Sequence, residues 1–364
     1  MMETYPDAAV LALWSDSTDE ILENRLSETW LARTKLRNNK ALALPFMLAT
    51  WRRQMMNEAT WTLVSSHLFA HHIKFLDSKP EAQKFVYVHT PARYIWEPSL
   101  DPRGSHPMVR ATSQILKSID KKRAAEGSNF AANSHYVKER IHRTWNQEAT
   151  VIYPPVDVEK IQNVSTWKDV LGPTDETILN DLPDNFVLSA SRFVPYKKLE
   201  MAIEVAEAGN IPAVIAGNGP DEGRLRHLAD QASVPVYFVT KPTDDLLIAL
   251  YQKCVAYVFA AVEDFGIMPV EAMAAGTPVI CGDKGGVIET VKNEHTGIHL
   301  HSDDPAELKR ALEKADSLDS NAIKIHAQQF DSLIFKENLV KWTGKTPNNS
   351  DSGLSATHTH RSKN

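Results

Sequence analysis

Cysteine is almost absent from this chain of 364 residues, which holds only Cys254 and Cys281. Neither sits in a C-x-x-C spacing, so the common zinc and dithiol motifs do not occur, and two thiols make no disulfide framework. Both fall in apolar segments, the pattern of buried thiols in a reducing, cytoplasmic compartment. Long apolar runs are lacking too. The longest, Ala41 to Trp51, is 11 residues with Pro45 inside it, against the roughly 20 that a membrane-spanning helix needs. No G-x-G-x-x-G follows a first strand, which argues against a dinucleotide-dependent oxidoreductase. No strongly basic domain or nucleic-acid motif occurs, which argues against nucleic acid as a partner.

What is present is the composition of a soluble globular protein, with 43% hydrophobic and 24% charged residues. The length is natural for two domains. The net charge of −6 is unevenly spread. Residues 1–153 carry 20 Lys+Arg against 16 Asp+Glu, and residues 154–364 carry 20 against 30. The basic clusters of the first half lie at Arg33 to Arg37, Arg52-Arg53, Lys121 to Arg123 and Lys138 to Arg143. Each alone reads as a solvated helix face. Together they are compatible with an anionic acceptor or with peripheral association at the inner face of a cell membrane.

The second half alternates short apolar strands with helices of about ten residues. Strands are expected at Phe186–Ala190, Ala213–Ala216, Pro235–Val239, Ala256–Ala260 and Pro278–Cys281. Helices are expected over Leu199–Gly209, Asp221–Ala232, from a Thr243 cap, and over Pro269–Gly276, with proline at its start and glycine at its end. Near-continuous apolar strands between helices mean a parallel sheet covered on both faces, an α/β doubly wound domain. The first half is less regular, with strand candidates at Val10–Trp14, Trp61–Ser65, Phe85–His89, Asn129–Ala132 and Thr150–Ile152. The expected division is a first Rossmann-like domain over 1–155, a linker over 156–182, a second domain over 183–325, a helix over 326–344 packing back on the first, and a disordered polar tail over 345–364. The tail's His358 and His360 read as solvated.

In open α/β sheets, ligands bind beyond the carboxyl ends of the strands. After Phe186–Ala190 come Arg192 and Lys197, cations suited to a diphosphate. After Ala213–Ala216 comes Gly217-Asn218-Gly219-Pro220, where glycines allow a tight turn and close backbone approach to a ligand. After Ala256–Ala260 comes EDFGIMPVEAMAAGTPVI, in which Glu263 precedes the turn at Gly266 and Glu271 falls in the first turn of the next helix. Carboxylates accept hydrogen bonds from vicinal sugar hydroxyls, and backbone N–H groups near Gly266 and Ile267 can meet a phosphate. A bare glutamate pair at this spacing means little, and surface cations are the ordinary reading of a loop Arg and Lys. The surrounding pattern is what makes the segment specific.

That pattern resembles the donor half of glycosyltransferase family 4, whose fold is GT-B: two Rossmann-like doubly wound domains facing across a cleft. The first half adds Tyr87-Val88-His89-Thr90-Pro91-Ala92-Arg93-Tyr94-Ile95-Trp96, Asn133-Ser134 and Val151 to Asp157. These resemble a subgroup of mannosyltransferases that build bacterial O-antigen and capsule chains. The likeness covers roughly residues 3 to 335. It implies a retaining hexosyltransferase using a nucleotide-diphosphate sugar, GDP-mannose in that subgroup, and a glycan or lipid-linked acceptor. Carried over, Arg192 and Lys197 would bind the diphosphate, Glu271 the ribose and Glu263 the transferred sugar. Gly266 and Ile267 would line the diphosphate, and Gly217 and Gly219 would admit the backbone. His89 would lie near the reacting carbon, with Arg93, Asn133 and Ser134 lining the acceptor side. No cofactor beyond the donor and no metal are expected, in keeping with the absence of a D-x-D triplet. A core histidine and a helix cap are the plain readings of His89 and Ser134.

Two alternatives stand beside this reading: a nucleotide-sugar epimerase on the same fold, and a catalytically weak binding partner in a polysaccharide-assembly complex. The resemblance also implies a first strand and a glycine-rich loop ahead of Met1. Residues Met1 to Ala8 then read as the end of a first helix and Val10–Trp14 as a second strand. The expectation is a shortened chain with a weakened acceptor domain and little transfer activity.

Overall fold

The computed structural model describes residues 1–16, 24–55, 59–98 and 107–346. The tail histidines lie outside them. All strand pairings within the three sheets are parallel. Among the described residues, β1 (Val10–Ala12) pairs only with β2 (Leu26–Glu28). A four-stranded sheet runs in chain order through β3 (Trp61–His67), β4 (Gln83–Thr90), β5 (Asn129–Ala132) and β6 (Ala149–Val151). A six-stranded sheet is built from β7 (Val187–Arg192), β8 (Ala213–Asn218), β9 (Val236–Thr240), β10 (Ala256–Phe259), β11 (Val279–Gly282) and β12 (Gly297–Leu300). Its order is β12-β11-β10-β7-β8-β9.

The apolar strands of the second half are apolar because both faces are covered. Successive side chains of a strand point to opposite faces, and the core divides accordingly. Val187, Ala213, Ile215, Ala256 and Val258 pack with the helices Met201–Gly209 and Pro305–Asp316. Leu188, Ala190, Val214, Tyr257 and Phe259 pack with the helices Asp244–Lys253 and Ile267–Ala275. Cys254 and Cys281 are free and buried, and burial pushes both thiols up.

Three expectations need correction. Val10–Ala12 does not join the four-stranded sheet, so it is not that sheet's second strand. Met1 to Ala8 form turns rather than the end of a helix. The helix read as starting at Pro269 starts at Ile267 with Gly266 as N-cap, which moves Glu271 into the second turn. Proline carries no N–H, and the first four N–H groups of a helix have no intrahelical partner, so Pro269 fits as the third residue as readily as the first.

The chain passes between the halves twice, and the two passages are bonded together. Val156 N–H donates to Phe330 O at 3.1 Å and Ser332 N–H to Val156 O at 3.0 Å. Tyr153, Phe265 and Phe330 stack around this point with centroids 5.2–5.7 Å apart. The helix Ser332–Thr343 that follows buries Phe335 and Leu339 against Tyr5, Tyr87 and Ile152 of the first half.

The first half is knotted together by one buried carboxylate. Asp120, on the helix Pro107–Ala124, is fully buried. Its Oδ2 accepts from the indoles of Trp96 at 2.7 Å and Trp145 at 2.6 Å. Its Oδ1 takes His72 Nε2 at 2.8 Å, with His71 Nε2 at 3.1 Å. Burial alone would raise this carboxyl, but the charges and hydrogen bonds of His71 and His72 hold it below the ordinary range. Burial depresses His72 to about 4. The group is therefore a carboxylate receiving the N–H of a neutral His72 and of two indoles at pH 7. Removing one partner of such a buried set costs about 3–5 kcal/mol, so Asp120→Ala should lower stability by that amount in urea denaturation at pH 7. Because His72 is depressed, the unfolded chain binds more protons between its ordinary pKa of 6.5 and about 4. The wild-type stability should thus be full above pH 6.5 and fall by on the order of 3 kcal/mol toward pH 4. A flat pH profile would count against a neutral His72.

Candidate active site

The order of the six-stranded sheet reverses between β7 and β10, which are neighbours in register Ala256↔Val187 and Tyr257↔Leu188. Loops leaving such neighbours diverge to opposite faces and open a crevice at the carboxyl ends. The Lys197 and Glu263 loops leave these two strands. Lys197 ends a 3-10 turn over Pro195–Lys197 after β7. Glu263 follows β10, and the Lys197 ammonium forms a part-buried ion pair with its carboxylate. Arg192 is exposed at the last position of β7.

Gly217 and Gly219 are required, but by the protein's own backbone. A Cβ on Gly217 would stand 1.9 Å from Ser191 O, and one on Gly219 2.4 Å from Phe193 O, both with φ beyond +130°. The close approach expected of them was to a ligand. The segment shown approaching them is Ser191–Phe193, the one that carries Arg192, so these glycines set where that arginine sits.

Gly266 caps the helix Ile267–Ala275 without a side-chain hydrogen bond, and Ile267 is exposed at its start. The first N–H groups of that helix therefore point to the crevice without a capping side chain. Glu271 is half-buried with Tyr251 O–H at 3.4 Å from its Oε2, and its carboxyl is raised chiefly by burial. Asp244 and Asp157 add to that rise.

On the first half, His89 lies near the end of β4 with Nε2 2.8 Å from Ser65 Oγ, and burial lowers it. His67 also lowers it and Asp264, from the other half, raises it. A cleft of about 2360 Å³ has both His89 and Glu271 in its walls, with Ser65, Asp157, Asp244 and Ile267. Lys197 and Glu263 do not line it. Arg93 reaches 3.8 Å from Asp264 across the halves. Asn133 and Ser134 are buried. Ser134 Oγ accepts from Val137 N–H at 3.0 Å, so it is the cap of the helix His135–Trp145, the plainer of its two readings.

Three residues given no role from the sequence occupy the junction between the halves: Asp264, Arg140 and Glu289. Asp264 stands in the quoted segment beside Glu263. Its partner lies 124 positions away, so no local signal could have named it.

Residues 174–328 match the family model of the glycosyl transferases group 1. The chain is 30% identical over 170 residues to the O-antigen chain mannosyltransferase C of Escherichia coli, covering 44% of this chain and 41% of that protein. It spans about half the length, or less, of the curated relatives it matches. A glycosyltransferase of Rickettsia africae superposes with a TM-score of 0.58 at 15% identity, covering 92% of this chain and 89% of that one. Anabaena HepE, solved with UDP and glucose, gives 0.55 at 21%, covering 72% of each chain. The fold is α/β of the GT-B type, two Rossmann-like domains facing across a cleft.

The glycine reading is checkable by substitution. Gly217→Ala forces a Cβ into a backbone carbonyl and should cost about 1–3 kcal/mol. Gly223→Ala, in the helix Glu222–Gln231 with nothing within 4 Å, should be neutral or stabilising by up to about 1 kcal/mol. Denaturation midpoints of the pair measure the contrast.

Proposed function

We propose that this protein is a retaining hexosyltransferase of the glycosyltransferase family 4 type, moving mannose from GDP-mannose to a glycan or lipid-linked acceptor in cell-surface polysaccharide synthesis. The observation that carries the reading is the Lys197–Glu263 ion pair at the strand reversal, on a segment that runs on into a helix N-terminus with no side-chain cap. A departing diphosphate needs positive charge already in place, because fixed donors spend no reorganisation during the reaction. Arg192, Lys197 and the start of the helix Ile267–Ala275 supply it without a metal. The Lys197–Glu263 pair holds both side chains at the strand reversal. An arriving donor takes the ammonium to its diphosphate and leaves the Glu263 carboxylate for the sugar hydroxyls. Glu271, one turn along the helix, receives the ribose, and His89 stands on the acceptor side. The likeness to a mannosyltransferase supports the sugar, and the carboxylates and cations support a nucleotide-diphosphate donor.

Incubation with GDP-mannose and UDP-glucose tests the class: transfer or donor hydrolysis supports it, sugar interconversion means an epimerase, and no nucleotide binding means a scaffold. Activity unchanged by a chelator supports the metal-free form. Glu271→Ala removes hydrogen bonds from a charged acceptor, worth about 1.5–3 kcal/mol. It should weaken GDP binding by 10- to 100-fold in calorimetry while the melting temperature stays near wild type. Unchanged affinity in the folded variant would remove the ribose assignment.

A lipid-linked acceptor is favoured by one surface. The helix Lys40–Trp51 exposes Leu42 and Phe46, Trp30 packs edge-on to Phe46 at 6.1 Å, and Arg33, Lys35 and Arg53 are exposed nearby in sequence. Among the described residues no helix is long and apolar enough to cross a membrane. Apolar side chains beside cations suit attachment to an anionic interface. The protein should float with anionic vesicles at low salt and release as salt rises. Absence of binding at every salt concentration would point to a soluble acceptor.

A further inference from the structure

We infer that Arg140 is a positioning residue for the Glu263 turn: through Asp264, and together with Glu289, which binds the N-terminus of Arg140's helix from the other half, it latches the two halves in the closed arrangement. The kinetic part of this inference rests on the transferase reading above.

Arg140 lies on the helix His135–Trp145 of the first half and is buried, with 1% exposure. A buried guanidinium is stable only where acceptors surround it. Its Nη1 donates to Thr90 Oγ1 at 2.8 Å and to Asp264 Oδ1 at 2.5 Å. Its Nε stands 2.7 Å from Glu97 Oε2, and the Tyr136 ring lies 4.8 Å away. Three of these partners belong to the first half beside Arg140 itself. Only Asp264 comes from the second, so opening the halves strips the guanidinium of one of its two carboxylates.

Asp264 is covalently next to Glu263, and the pair is held from the other side as well. Gly286 N–H donates to Glu263 O at 2.7 Å. Gly286 stands so close that a Cβ there would meet Asp264 O at 2.3 Å. The Glu263–Asp264 backbone is therefore clamped between the Gly286 turn and Arg140. That same turn leads into Glu289, whose carboxylate accepts from His135 N–H at 2.8 Å and Tyr136 N–H at 3.1 Å. These are N-terminal donors of the helix that Ser134, occupied with Val137, does not take. An anion at that position also meets the positive end of the helix dipole. One helix of the first half thus receives two carboxylates from the second, and both sit on segments that fix where Glu263 points. Domain closure and assembly of the donor site become one event.

Two exposed positions, Glu148 and Lys309, lie on opposite halves, and the native thiols are buried. Spin labels on Glu148→Cys and Lys309→Cys report the separation of the halves. The parent should give one narrow distance distribution. Asp264→Asn should add a longer population, lower kcat tenfold or more, and leave the affinity for GDP or UDP within twofold. Glu289→Gln should do the same more weakly, and Arg140→Lys, which keeps the charge but loses the fork, should fall between parent and Asp264→Asn. A purely structural role would lower the melting temperature without this split between turnover and nucleotide affinity. Unchanged distances in Asp264→Asn and Glu289→Gln overturn the latch, as does a broad distribution in the parent. If Asp264→Asn does not fold, the Glu289→Gln distances decide. If the parent binds no nucleotide, the transferase reading fails and the distances alone judge the latch.

Discussion

Where β7 and β10 part company, the helices that follow them go to opposite faces of the sheet, one packing with Val187 and Ile215, the other with Leu188 and Val214. Right-handed crossovers from two adjacent parallel strands leave no other choice once the strand order reverses. The carboxyl ends of these two strands are consequently the place where that sheet has loops but no covering helix. The remaining features of the crevice follow from this constraint. Lys197 and Glu263 meet because their loops leave neighbouring strands. The helix Ile267–Ala275 presents its N-terminus because the turn at Gly266 brings the chain back over the sheet edge.

The ion pairs of the molecule fall into two kinds. Pairs such as Arg226–Glu222 and Lys309–Glu313 lie on exposed helix faces, where each is worth at most about 1 kcal/mol. The Asp120 cluster and the Arg140 cluster are buried, where an unpaired charge is costly and geometry is narrowly fixed. One ties the elements of the first half to each other. The other ties the first half to the second. The internal stability of the first half and the contact between the halves therefore rest on separate groups.

Glu263 and Glu271 answer to different surroundings although one segment carries both. Glu263 is answered by a cation on the neighbouring loop. Among the described residues Glu271 forms no ion pair, and burial, with Asp244 and Asp157 nearby, raises its carboxyl. A carboxylate short of partners gains most from hydroxyl donors that arrive with a ligand, whereas a paired one must first exchange its partner.

The sequence by itself determined the alternation of strand and helix in the second half. Phe186–Ala190, Ala213–Ala216 and Ala256–Ala260 were readable because a strand buried on both faces is almost wholly apolar, and Ser189, the polar residue among them, spends its hydroxyl on Val258 O. The Thr243 cap was readable because its oxygen serves Leu246 N–H three positions on, and such short-range chemistry is written in adjacent letters. The first half was less legible, and Val10–Ala12 was placed in the wrong sheet, because a three-residue strand carries no period long enough to show its partner. What only the tertiary structure decided is which long-range groups meet: Lys197 with Glu263 across 66 positions, Arg140 with Asp264 across 124, His135 with Glu289 across 154. Each depends on strand order and on the angle between the halves. Charge acts through space at a few ångströms, and neither spacing nor composition records which distant residues the fold will bring that close.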